Sequence, residues 1–332
     1  MRIGEAVGTW GRGRGPFVCW CLLVLTGLGL LVAAMVPVGP DLLGGVGAVT
    51  IASTYAWALA ARTGGRPVVF GSVALATGVV VLVLDQDPLR TGAAVMTCVV
   101  TAVLAVMATV PAVRFVHAVR ECVVAVLISG VGALATVGFE PALTLTRFEY
   151  VTLGLAVLGS FGVVYRLGAG FHGLGRRGVA TVLVGSVLLA ATLAYAEILR
   201  RYGTPSLVSS LLDGVVWSRE NLGAFPRPIE ALVGIPALAW GCHMRARRRQ
   251  GWWVCAFGVT ASTPIANALV NPATSLTEAA LSVGYGAVVG LAIGFVVIRL
   301  DLAFTGPRGR RSRRAEEAAA ARPEPRRTAA LL

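Results

Sequence analysis

The chain has 332 residues, 56% of them hydrophobic and only 14% charged, with a formal net charge of +13 and a mean hydropathy of +0.77. A soluble domain carries about 25% charged residues, so this composition excludes an ordinary soluble globular fold. The positive charge would suggest nucleic acid in a soluble protein; in this one its meaning depends on where the arginines fall. All 29 basic residues are arginine, which, with the abundant Ala, Val and Gly, reads as the coding bias of a GC-rich bacterial genome.

Ten apolar runs follow one another, at about 17–37, 42–61, 67–84, 92–113, 118–138, 149–165, 179–198, 229–244, 252–270 and 279–300. A bilayer core of about 30 Å needs roughly 17–25 apolar residues of helix. The first run is longer than the roughly 7–15 residues of a signal-peptide core and reads as a span. The expected fold is all-α, a polytopic integral membrane protein of about ten transmembrane helices. Residues 1–16 form a cytoplasmic N-terminus, 17–304 one membrane domain, and 305–332 a basic tail. That tail is low-complexity Arg, Ala, Pro and Glu, which cannot bury a core and is expected to be disordered. In helix count alone the chain resembles drug/metabolite-type carriers.

Arginine is enriched in short cytoplasmic loops. With the amino terminus inside, only Arg90, Arg147, Arg200, Arg201, Arg219 and Arg227 fall outside. Every inner loop then carries arginine, and the expected location is a bacterial cytoplasmic membrane with both termini in the cytoplasm. The run "RARRR", Arg245–Arg249, is by this reading a cytoplasmic turn, with Trp240, Trp252 and Trp253 at headgroup level. Between the seventh and eighth runs, the pattern after Pro205 predicts a short helix lying in the outer interface, anchored by Trp217.

No ionisable residue lies in the middle third of any expected span, which argues against a proton relay. Glu121, near the inner end of the fifth run beside His117 and Arg120, reads as a helix-end ion pair. The ninth run is the most polar, with Thr260, Ser262, Thr263 and Asn267, and Pro264 is expected to interrupt its hydrogen-bond ladder at the carbonyl of Thr260. Thr263 and Asn267 are the candidate substrate-binding residues. The eighth run is short and carries Pro236; with the equally short third run, each after an Arg-Pro pair, it hints at an inverted repeat of two five-helix halves. In the tenth run Ser282, Gly286, Gly290 and Gly294 recur every four residues, a stripe for close helix packing within the fold or between copies.

Other motifs carry less. Asn271-Pro272-Ala273 matches an aquaporin triplet, but one triplet in ten runs reads as a helix stop and turn. Gly168-x-Gly170-x-x-Gly173 lacks the strand and acid of a dinucleotide site. Five of six cysteines fall at expected inner helix ends, without a ligand spacing, so no metal site and no disulfide framework is inferred. Three functions fit these residues: a permease for a small, weakly charged or lipid-like solute; a scaffold or subunit of a membrane complex; and an enzyme acting on a lipid-linked substrate at the outer face through Asp85, Asp87 and the acids and arginines of 213–230. The expected partners are the bilayer, anionic lipid at the basic loops and tail, and a second copy or complex partner. No nucleic acid, cofactor or catalytic motif is inferred.

Overall fold

The computed structural model describes residues 15–36, 39–40, 42–167, 175–248, 250–305 and 324–331. Among these, all regular structure is helical. The helices are α1 (Gly15–Met35), α2 (Leu42–Arg62), α3 (Pro67–Leu84), α4 (Asp87–Met107), α5 (Phe115–Gly138), α6 (Leu145–Arg166), α7 (Gly175–Tyr202) and α8 (Pro205–Leu222). A π-helical turn (Glu230–Gly234) then leads into α9 (Ile235–Arg245), α10 (Gly251–Ala256), α11 (Val259–Val270) and α12 (Leu276–Thr305). Nine helical segments among the described residues, with α10 and α11 counted as one, are long and apolar enough to cross a membrane. The N-terminal segment 1–14, the glycine motif at 168–173, Arg249 and the tail 306–323 lie outside the described residues.

Local chemistry explains the helix ends. Pro67 and Pro88 each sit in a first turn, where the missing N–H costs nothing. The fourth expected run starts too late: α4 begins at Asp87, because an acid and a proline suit a helix N-terminus however loop-like they look in a polar stretch. It also ends earlier than expected, at Met107, ahead of Pro111. α8 follows Thr204 with Pro205 in its first turn and stops at Gly223, whose φ of 77° carries no Cβ penalty. Asn271 closes α11 in extended conformation, and its side chain accepts the N–H of Ala273, giving a helix stop with an Asx turn.

The eighth run departs from an ordinary span. Pro236 has no N–H to give to a carbonyl one turn back. The chain widens to a π turn in which Ile235 N–H donates to the carbonyl of Glu230. From there α9 runs antiparallel to α10 and α11, with Gly234 against Ala261, Gly241 against Cys255 and Gly251 against Arg245. The ninth run is divided at a second place besides Pro264. α11 keeps helical backbone through Pro264, which has no N–H for the Thr260 carbonyl, and the division falls at Phe257–Gly258, where the N–H groups of Phe257, Gly258, Thr260 and Ala261 each donate three residues back. Gly258 permits it, since the Leu238 side chain occupies the space a Cβ would take.

The segment α10–α11 is the centre of the bundle, 83% buried over its apolar window. α11 packs on α4, α5, α6 and the π turn. Its Val259 and Ala261 join a cluster with Val106, Met107 and Leu238, while Ile265 and Ala266 join a second with Leu104, Phe139 and Phe148. α1–α3 pack onto one flank through α2. The glycine stripe of α12 lies along the π turn and α9: a Cβ at Gly286, Gly290 or Gly294 would meet Glu230, Ile235 or Ala239 respectively, and Ser282 donates to the Phe225 carbonyl at 2.7 Å. Within this chain the stripe is therefore an intramolecular packing seam.

Candidate functional site

The first candidate lies in the bundle interior. Thr263 is 1% exposed and its hydroxyl turns back to the Val259 carbonyl at 3.3 Å, so its hydrogen bond is spent inside its own helix. Asn267 differs. It is buried, and its Oδ1 has no partner among the described residues; nor has the buried Ser262 hydroxyl on the same helix. The neighbouring α4 and α6 each add one such group, Thr101 Oγ1 and Ser160 Oγ. Other buried hydroxyls in the bundle follow the ordinary pattern: Ser129, Thr136, Thr152 and Thr260 all donate back to carbonyls three or four residues earlier.

A further residue is Glu230, expected only as one of the outer-face acids of 213–230 and not as a buried group. It stands in the π turn at 0% exposure, and neither carboxylate oxygen has a hydrogen-bond partner among the described residues. The carboxyl group lies against Gly286, where an added Cβ would come within 2.9 Å of Cδ. The stripe thus makes room for an acid as well as for a helix. The available signal was a single acid inside "PIEALVGIPALAW", second in the expected run 229–244, where it looks like a residue at a helix end. Nearby Arg227 belongs to the same electrostatic group: burial lowers its pKa, opposed by Glu149, Glu230 and Glu278. A buried carboxylate without partners costs several kcal/mol, roughly 3 or more, if charged. Glu230→Gln keeps the shape and is expected to leave the thermal unfolding transition of the purified protein unchanged or raise it. Gly286→Val, which fills the carboxyl's space, is expected to lower it. A fall with Glu230→Gln would show that a partner anchors the acid.

The second candidate is at the basic end, where α2, α4 and α9 finish and α5 begins. Its surprise is Arg245, the first arginine of "RARRR", which is fully buried and not part of a solvated loop. Its Nη1 donates to Thr109 Oγ1 at 2.7 Å and its Nη2 to the Thr109 carbonyl at 3.2 Å, while the guanidinium stacks 3.4 Å over the Trp252 ring. Trp252 and Trp253 are accordingly core residues and not headgroup anchors; Trp253 packs on Phe161. Arg62, 2% exposed, donates to the carbonyls of Met107 and Thr109. Glu121, 0% exposed, accepts the Val110 N–H at 2.9 Å and pairs with Arg120.

The remaining valences of these three residues go to Glu324–Leu331. Glu324 Oε2 lies 2.6 Å from Arg245 Nη2, and Arg327 Nη2 bonds both Glu121 oxygens, at 3.0 and 2.9 Å. Arg62 Nη1 donates to the carbonyls of Arg326 and Ala329, and the Leu331 N–H donates to the Arg62 carbonyl. These residues were expected to belong to a disordered tail. They have no hydrophobic stretch to announce an element, but they carry an acid and a base spaced to meet a buried base and a buried acid.

Other expected features resolve simply. The Asp85 carboxylate is 2.6 Å from Arg90, which also binds Glu140, so Asp85 is engaged in a helix-end ion pair beside Asp87. The cysteines are free; Cys122, Cys242 and Cys255 are buried at the basic end, and no group of three metal-ligating side chains occurs among the described residues. A lateral groove of about 1570 Å³ opens between α7, α8, α9 and α12, lined by residues such as Leu188, Leu211, Leu232, Trp240, Phe257 and Val297. Its lining is mostly apolar, with Thr192, Tyr195 and Ser210 among it, and the buried Trp240 Nε1 has no acceptor among the described residues.

Among the described residues the protein is all-helical, with nine segments long and apolar enough to cross a membrane and a mainly apolar interior that holds a few polar atoms without partners. Comparison with protein-family models, with curated proteins and with solved structures gives no match in any of the three.

Proposed function

We propose that the protein is a permease-like carrier of a small, weakly charged or lipid-like solute. In this reading it crosses a bacterial cytoplasmic membrane ten times, through the nine membrane-length segments and, eighth in chain order, the π turn with α9, and both termini lie in the cytoplasm. The basic end, with Arg62, Arg120 and Arg245, is then the cytoplasmic end. The observation that carries the proposal is the set of buried, unpartnered polar atoms on α11 and the helices around it: Ser262 Oγ, Asn267 Oδ1, Thr101 Oγ1 and Ser160 Oγ. Each such group costs about 1–3 kcal/mol when left unsatisfied, and in a membrane interior no bulk water relieves that cost. Groups of this kind are retained where water or a solute meets them.

The test is Asn267→Ala, assayed for solute uptake in proteoliposomes and for abundance in the membrane. Uptake is expected to fall by about tenfold, the loss of one hydrogen bond to a bound solute, with abundance unchanged. Unchanged uptake of the solute that the parent protein carries would remove α11 from the site.

A further inference from the structure

We infer that Arg62, Thr109, Glu121 and Arg245 form a binding site for a carboxylate-bearing ligand at the basic end of the bundle, and that Glu324–Leu331 is its displaceable intramolecular occupant. This site is separate from the polar interior, and the inference does not depend on the permease reading.

The cradle is built without the strap. Arg245 is fixed by Thr109 Oγ1, the Thr109 carbonyl and the Trp252 ring. Arg62 is fixed by the carbonyls of Met107 and Thr109, and Glu121 by the Val110 N–H and Arg120. Thr109 itself sits in the α4–α5 connection, tethered by the bond from the Ala112 N–H to the Cys242 carbonyl. Each charged side chain therefore has its orientation set by the bundle and directs what is left of its hydrogen-bonding capacity outward. Such preorganisation is what a ligand site needs, because the receptor groups lose little freedom on binding.

The occupant is held differently. Glu324–Leu331 contains turns but no helix, and its own charged groups keep some exposure, 14% at the Glu324 side chain and 30% at Arg327, against 0% for their partners Arg245 and Glu121. It meets the cradle through one carboxylate, one guanidinium, two carbonyls and one N–H. An arginine held in a plane against an aromatic ring reads carboxylates by paired donors, as Arg245 does with Glu324. When the strap leaves, water enters from the exposed side, and Arg245 and Arg62 stand as neighbouring donors for an anion. Glu121 offers the matching place for a cation, so a zwitterion bearing a carboxylate fits the vacated cradle best.

Two measurements test this. In the first, the chain is ended after Pro323 and its thermal unfolding is compared with the full chain, alone, with a synthetic peptide of residues 324–332, and with sodium acetate against sodium chloride. The truncated protein is expected to unfold at lower temperature. The peptide should restore the transition saturably, and its Glu324→Gln form should bind roughly tenfold more weakly, the loss of a charge-assisted hydrogen bond. Acetate should stabilise the truncated protein but not the full chain, and Arg245→Gln should abolish that effect. Stabilisation of both forms alike, or of neither, overturns the inference. The second measurement uses the full chain, in case truncation prevents folding. Hydrogen–deuterium exchange across 324–331 should accelerate in excess free peptide; exchange that is unaffected by the peptide marks a permanent strap and also overturns the inference.

Discussion

Arg245→Met is expected to destabilise the protein by about 3 kcal/mol, the cost of breaking a buried ion pair from one side, read as a fall in the thermal transition in detergent. The side chain is fully buried, so its removal leaves the Thr109 hydroxyl without its donor, the Thr109 carbonyl with only the longer bond from Arg62, and the Glu324 carboxylate without its cation. It also removes the stacked contact over Trp252. Glu324→Leu alone should cost less, because the Arg245 guanidinium keeps its bonds to Thr109 and gains water where Glu324 stood. The double variant separates the pair from its surroundings: when both charges are replaced by apolar groups, neither is left orphaned. It should therefore recover part of the Arg245→Met loss, with a coupling of about 1 kcal/mol or more for residues in direct contact. Strict additivity would mean that Arg245 acts through Thr109 and Trp252 alone. Arg245→Lys should fall between, since an ammonium keeps the charge but has neither the planar fork nor the stacking face.

Arg245 also shows which parts of this protein can be read from its residues. The long uncharged runs were plain because a membrane requires them: α2 and α3 fall within a residue of the expected bounds. Features that depend on one residue's depth were not plain. Composition makes all arginines of "RARRR" alike, and only the packing of Thr109 and Trp252 draws the first of them inward. Glu230 stood at a run boundary, and the π turn that buries it follows from Pro236 six residues on. Pro264 was the visible breaker in the ninth run, but the division at Gly258 was not visible, because it depends on the bulk of Leu238 from α9. Asn267 was singled out for polarity and is the residue of that pair with an unused acceptor, whereas Thr263 satisfies itself. Pattern alone could not separate them, since both are polar residues on one buried helix. The strap at 324–331 was illegible for a related reason: its sequence is low in complexity, and its order comes entirely from groups far away in the chain.

A close backbone approach between the π turn and α11 leads to the other large effect. Gly234, the last residue of the π turn, lies so near α11 that a Cβ would come 2.6 Å from the Ala261 Cα and 2.7 Å from the Thr260 carbonyl carbon. These are backbone atoms and cannot rotate away. Gly234→Ala must push α9 from α11, and overpacking of this kind costs about 1–3 kcal/mol; with backbone on the opposing side, about 3 kcal/mol is expected. The displacement would also shift the π turn and with it Glu230, so the variant should lose stability and any activity that depends on the interior together. The same substitution at Gly130, in α5 with nothing within 4 Å of its added Cβ, provides the control. There alanine should be neutral or stabilising by about 0.5–1 kcal/mol, the difference in helix preference. Thermal unfolding of the two variants side by side decides the matter. Equal transitions would mean that the α9–α11 seam is loose enough to absorb a methyl group, and that the π turn is not held in place by this contact.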